Sequence, residues 1–272
     1  MAIKIVHATG QMCNQFWIIS NYLADCIEYN NKILIWLPDF SLEKFDNIYS
    51  SKYISFPLYP RFFVNLFGYK NYSKIINSIF NNKIMLRISY LLLNLFPNIE
   101  FIISDVTCKK SKYKHKHLKT ILNIISPNSK YIEEVGSQFG NLNKEEILIG
   151  IHIRYGDYRT FQNGKYYYTL EEYNQLMIKI RSVFSDKKVK FYLASNETID
   201  YSVFKKHYVV KVNNPSSLKD LIGLSKCDYI CGPPSTFSAW ASLYNNAPIC
   251  FIENLESDFN KNSFADIQNI WF

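Results

Sequence analysis

The chain predicts an α/β protein of doubly wound parallel sheets, and three observations carry the prediction. Short apolar runs bounded by polar or glycine-bearing turns recur along it, with amphipathic stretches between them. The opening reads strand, glycine-bearing loop, helix, strand, which is a βαβ unit. The second half continues the alternation at regular spacing, as in open sheets whose ligands bind beyond the carboxyl ends of the strands.

Residues 4–8 form the first strand. Residues 10–15, Gly-Gln-Met-Cys-Asn-Gln, read as a polar turn. Phe16, Ile19, Leu23 and Ile27 then recur at helical spacing, so 16–29 is a helix whose amino end offers free N–H groups and a positive dipole end to an anion. Residues 33–37 are a second strand, stopped by Pro38. From about 39 to 130 aromatic and Asn/Lys-rich segments alternate without a clean period. Within that region 84–96 reads as a buried or interfacial helix, 99–104 as a strand and 121–125 as an apolar segment, with a helix over 129–136 beyond it. The most apolar window, 84–103, is interrupted by Arg87, Asn94, Pro97 and Glu100, which argues against a membrane span.

The central strand is 147–153, apolar or small except for His152, as suits a strand buried on both faces. A helix over 169–184 follows, with Glu171 and Glu172 in its first turn, where acidic charge suits the dipole. Strands at 190–194, 208–212, 228–231 and 248–252 alternate with helices at 216–225 and 237–244. The division expected is 1–140 and 141–272.

Composition narrows the function. With 272 residues, 48% of them hydrophobic, the chain has ample material for packed cores and is not a disordered protein. The net charge of +8 points to anionic partners: nucleic acid, a membrane surface or a phosphate-bearing small molecule. Part of the excess lies in one run, opening at Lys109 and closing at Lys119, which reads as a solvated face or a peripheral membrane contact. No nucleic-acid-binding motif accompanies it. Six cysteines follow no disulfide or zinc spacing, so reduced, cytoplasmic thiols are expected. The first residues, Met1-Ala2-Ile3-Lys4, turn polar too soon for a signal peptide. Oligomeric state is not legible.

Three turns that follow strands carry polar groups. His152 and Arg154 leave the same face of the central strand, and Asp157 follows in a glycine-containing turn. Ser195 and Asn196 end the next strand, and Ser235 and Thr236 precede a helix. In a parallel sheet all three turns share one edge. An arginine fork opposite a hydroxyl-bearing helix start is what a pyrophosphate needs. Neither GxxxxGK[ST] nor GxGxxG is present. Arg154 and Asp157 could also form a salt bridge that merely closes the turn, and Ser235 could be an ordinary N-cap.

Three elements together resemble glycosyltransferase family 11, the α-1,2-fucosyltransferases, within the GDP-fucose-using superfamily. The family's HxRRGDY stands here as His152-Ile153-Arg154-Tyr155-Gly156-Asp157-Tyr158. Its GGxGNQ stands as Gly10-Gln11-Met12-Cys13-Asn14-Gln15, and its SNSTFSWW-like element as Pro234-Ser235-Thr236-Phe237-Ser238-Ala239-Trp240. The resemblance implies a GT-B-like pair of Rossmann-like lobes, with the donor site at the C-terminal lobe and the interlobe cleft. It implies transfer of L-fucose from GDP-β-L-fucose, with inversion, to a glycan hydroxyl such as the galactose 2-OH, without an obligatory metal or other cofactor, in polysaccharide or O-antigen biosynthesis. By motif position Arg154 would hold the pyrophosphate, Ser235 and Thr236 the β-phosphate, and Phe237 would lie near the guanine. His152 would line that pocket, Asp157 would hold the loop or act as base, and Gly10, Asn14 and Gln15 would approach from the other lobe. Asn196 joins the donor-side set. The sequence departs from the family at Tyr155, where a second arginine is usual, at Gln11 and Cys13 for two glycines, and at Ala239 for one of a tryptophan pair. Two alternatives stay open: a transferase using another nucleotide sugar, and a catalytically idle sugar-nucleotide or glycan-binding protein.

Overall fold

The computed structural model describes residues 3–80, 82–95, 98–140 and 143–271. Met1 and Ala2, Phe96 and Pro97 of the apolar window, and Asn141, which opens the expected second domain, lie outside the described residues. The chain divides into two compact units, Met1–Asn128 and Ser129–Phe272.

The first unit runs β1 (Ile3–Ala8), α1 (Met12–Glu28), β2 (Ile33–Ile35), α2 (Asp46–Ser50), β3 (Ile54–Ser55), α3 (Arg61–Phe67), α4 (Tyr69–Phe80), α5 (Lys83–Asn94), β4 (Ile99–Ser104) and α6 (Lys114–Ile124). Its strands are parallel in the order β3-β2-β1-β4. Phe16, Ile19 and Leu23 of α1 are wholly buried, so the helical spacing read from the sequence marks the face that packs. The helix starts at Met12, earlier than expected, because Gly10 makes the turn alone at φ +83°. A Cβ there would stand 2.5 Å from Asn14 Nδ2, so the tightness of the loop depends on glycine. β2 ends at Ile35, and Leu37 takes a left-handed φ of +47° that turns the chain out of the sheet.

The region without a clean period is mostly helical, with β3 and β4 within it. In α4, Tyr69 and Ile76 are buried while Ile75 and Ile79, on the same broad apolar face, are exposed, so only part of that face packs. The segment 121–125 is the end of α6, anchored by Ile121 and Ile124.

The second unit runs α7 (Ser129–Gly136), β5 (Glu146–Ile153), α8 (Leu170–Val183), β6 (Lys188–Ser195), β7 (Tyr208–Val210), α9 (Ser217–Ser225), β8 (Tyr229–Gly232), α10 (Thr236–Asn245), β9 (Ile249–Phe251) and α11 (Ile267–Trp271). Its division from the first unit falls ahead of α7 rather than at 140, because α7 packs on α9, with Lys219 Nζ 2.6 Å from Glu134 Oε1. Among the described residues its sheet has the order β7-β6-β5-β8-β9, all parallel. Ile149, Ile151 and Ile153 of β5 pack with Phe191 and Leu193 of β6 and with Tyr173, Met177 and Ile180 of α8. Thr169 and Glu172 close a reciprocal capping box on α8, a more specific use of Glu172 than the dipole alone. The chain crosses from β5 to one side through β6 and β7, and to the other through β8 and β9. The crevice between the ends of β5 and β8 is therefore the topological switch point, where such sheets bind ligands.

Candidate active site

The switch point gathers the second unit's polar groups. His152 ends β5 with only 3% of its surface exposed, and its ring lies against Phe237 of α10, centroids 5.2 Å apart. Burial, with Arg154 nearby, lowers its pKa to about 3, so the ring is neutral at ordinary pH. Its Nδ1 is buried with no hydrogen-bond partner among the described residues. Gly232, ending β8, makes this closeness possible: a Cβ there would stand 2.6 Å from the His152 carbonyl oxygen.

Arg154 follows directly. Its backbone N–H donates to the buried Tyr173 hydroxyl at 3.4 Å. Its guanidinium lies over the Tyr158 ring at 5.3 Å and 2.8 Å from Asp157 Oδ1. The Arg154 side chain is 14% exposed and that of Asp157 61%. The carboxylate therefore approaches from solvent and holds an arginine that is otherwise seated on an aromatic face. The ion pair foreseen as a turn closure is present, and it orients the cation.

The turn itself, a single 3₁₀ segment over Gly156–Arg159, is tied to its neighbours on both sides. Asn196 Oδ1, after β6, accepts from the Tyr155 N–H at 2.8 Å, and Glu197 Oε1 accepts from the Gly156 N–H at 3.0 Å. Glu197 also receives both terminal nitrogens of Arg159 at 2.7 Å. On the other side the Tyr158 hydroxyl donates to the Pro234 carbonyl and lies within hydrogen-bonding range of Ser235. Tyr155, where the family has a second arginine, is buried in the core, with its ring 5.2 Å from Tyr167 and beneath the Arg159 guanidinium.

Ser235 caps α10, its Oγ accepting from the Phe237 N–H at 3.2 Å. Thr236 and Phe237 open the helix, so its first N–H groups and positive dipole end face the sheet edge that carries Arg154. His152, Arg154, Asp157, Ser235, Thr236, Phe237 and Asn196 thus belong to one edge of one sheet, with the Asn196 amide oxygen used to hold the loop. Tyr158, Tyr173 and Glu197 are supports that sequence reasoning missed. Only Tyr158, as the last residue of the HxRRGDY element, carried a signal.

Gly10, Asn14 and Gln15 belong to the first unit. Gln15 is buried; its Nε2 donates to the Gly10 carbonyl at 3.1 Å and its Oε1 accepts from the Asp39 N–H at 2.9 Å. Gln15 therefore staples two loops together. Those loops border a cavity of about 340 Å³ beyond β1, lined by His7, Thr9, Gly10, Asp39 and Lys83 among others. The Asp39 carboxyl stands at its rim, its pKa raised by partial burial. Among the described residues no three His, Cys, Asp or Glu side chains are grouped as metal ligands.

Solved fucosyltransferases share the fold. POFUT1 in complex with GDP-fucose has a TM-score of 0.55 at 13% identity, over 91% of this chain and 97% of that one. POFUT1 in complex with GDP has 0.54 at 14%, over 92% and 98%. The fucosyltransferase NodZ from Bradyrhizobium has 0.52 at 14%, over 92% and 94%. At such identities the likeness speaks for the fold, a GT-B-like pair of Rossmann-like units. No curated protein matches the chain in sequence. The sequence model of glycosyl transferase family 11 matches residues 37–271, nearly the whole chain and all of the second unit's site, and the protein belongs to that family of glycosyltransferases.

Proposed function

We propose that the protein is an inverting fucosyltransferase that moves L-fucose from GDP-β-L-fucose to a hydroxyl of a glycan acceptor, the galactose 2-OH in the first instance. The observation that carries this reading is Arg154, braced by Asp157 and Tyr158 beside the Ser235-capped start of α10. Breaking a sugar–GDP bond builds negative charge on the departing pyrophosphate. A fixed guanidinium and a helix N-terminus supply the compensating charge without reorganisation, and no metal is then required. Neutral His152, with its open Nδ1, would meet the donor as a hydrogen-bonding ring, with Phe237 against its face. The fucosyltransferases that share the fold support GDP-fucose as donor. Asp157 is best read as a positioning residue, because its charge is engaged by Arg154. The six cysteines, none in a disulfide, support a reducing, cytoplasmic compartment.

The test is GDP-fucose with a panel of galactoside acceptors, followed by determination of product linkage. Transfer to the 2-OH is expected, and Arg154→Ala should lower the rate by about 10²–10³ while the protein stays folded. A folded Arg154→Ala variant that turned over at the parental rate would remove Arg154 from the site. GDP binding without turnover on any acceptor would favour an idle binding protein instead.

A further inference from the structure

We propose that the layer α3–α5 of the first unit docks on an anionic lipid bilayer. Its side chains meet solvent in a way no core or catalytic role accounts for. On α5 and the residue after it, Ile84, Ile88, Leu91 and Leu95 recur at intervals of four, three and four, one stripe down the helix, and are 64%, 42%, 64% and 77% exposed. The stripe is roughly 16 Å long at the helical rise. The opposite side of α5 is accounted for: Leu86 packs with Trp36 and Phe80 on the sheet. On α3, Phe62 and Leu66 repeat the pattern at 70% and 63% exposed. α3 packs on α4 and α4 on α5, and Phe63 stacks on Tyr72 between the first two, so the three helices form one layer.

Charge selects the occupant. Between Asp46 and Glu100 the sequence has no acidic residue, while the three helices carry Arg61, Lys70, Lys74, Lys83 and Arg87. All five are exposed, and Lys70, Lys74, Lys83 and Arg87 take part in no ion pair among the described residues. A second copy would set five cations against five. A bilayer carrying anionic headgroups satisfies both features at once, taking the Phe, Leu and Ile side chains below the headgroups and the Lys and Arg side chains among them. No helix among the described residues is long and apolar enough to cross a membrane, so the layer lies on the surface. The first unit's cavity shares Phe80, Lys83 and Leu86 with this layer, on the side that faces the sheet.

The basic run from Lys109 to Lys119 is the weaker candidate. Lys114 is buried with its ammonium 4.1 Å from the centre of the Trp17 ring, and Lys116 and His117 both meet Glu28. The inference does not depend on which sugar is transferred.

Flotation of the full chain with vesicles tests it. Binding to phosphatidylcholine vesicles containing phosphatidylglycerol, weakened by salt and absent from pure phosphatidylcholine, is expected. Lys70→Glu/Lys74→Glu/Arg87→Glu should weaken binding by roughly 100-fold or more. Ile88→Asn/Leu91→Asn/Leu95→Asn should weaken it at least about tenfold, since less apolar surface is buried. Lys109→Glu/Lys110→Glu/Lys112→Glu should retain it. Hydrogen–deuterium exchange of the parent on vesicles, which needs no substitution, should show protection across 61–95. No vesicle binding, protection confined to other segments, or loss of binding only in the 109–112 variant would overturn the proposal. So would a stable dimer that the apolar variant dissociates.

Discussion

At the scale of single residues the site depends on how burial and charge divide the work between neighbours. His152 is the clearest case. Its pKa falls from an ordinary 6.5 to about 3 in the folded chain. Between those values the unfolded chain takes up a proton that the folded chain refuses. The stability involved is fully present above about pH 6.5 and is lost as pH falls towards 3, at up to about 1.4 kcal/mol per pH unit. Urea unfolding of His152→Asn across that window should show a correspondingly shallower pH dependence than the parent. An identical slope would mean that the ring is not held neutral. For Asp157 the exposed position and the bond to Arg154 predict a role in posture, not in proton transfer. Asp157→Asn should lower kcat by less than about tenfold and leave the acidic limb of the pH–rate profile where it was. Disappearance of that limb would make Asp157 the base. Tyr155 shows how a departure from a family motif is absorbed: the aromatic ring fills the core and the Arg159 guanidinium lies over it.

At the scale of elements the site is a junction of β5, β8 and α10, and its tolerance is backbone tolerance. Gly232→Ala would press a methyl group onto the His152 carbonyl, a backbone atom that cannot swing away. The expected cost is about 1–3 kcal/mol, with activity falling further because His152 and the start of α10 are displaced together. Thermal unfolding with parallel assays checks this, and full stability in the variant would show that β5 and β8 separate easily. Lys114 makes the opposite point on α6. Burial lowers its pKa to about 7, so part of the basic run belongs to the interior. Lys114→Met is expected to be at least as stable as the parent at pH 7 in chemical denaturation, because it removes a desolvated ammonium and keeps the packing against Trp17.

At the scale of the molecule two parallel sheets, each with its own helices, divide the labour. The groups proposed to meet the donor phosphates, Arg154, Ser235 and Thr236, all come from Ser129–Phe272. That unit expressed alone should fold, by circular dichroism and cooperative melting, and should bind GDP in calorimetry, with binding lost in Arg154→Ala. A folded fragment without GDP affinity would show that the first unit supplies essential donor contacts. The first unit contributes a cavity and the exposed apolar, basic layer of α3–α5.

The alternation of strands and helices, the parallel class of the sheets and the polar turns after β5, β6 and β8 were legible in the sequence. Apolar periodicity and turn chemistry are local properties, and in a parallel sheet they suffice to put those turns on one edge. Gly10, Asn14 and Gln15 were legible as a motif, but the use of Gln15 as a staple between the Gly10 and Asp39 loops was not, because Asp39 is distant in sequence. Of the helices between 61 and 94, α5 was read from the sequence at 84–96, while α3, seven residues long, and α4 were not. α5 was legible as a helix, but only the packed structure shows that its Leu86 faces the sheet while Ile84 and Ile88 face solvent. What the sequence determined by itself was therefore the order of elements and the chemistry delivered to one sheet edge. Tertiary structure decided which of those polar groups brace the site and which stay available to a ligand, since burial and hydrogen-bond partners are set by segments far apart along the chain.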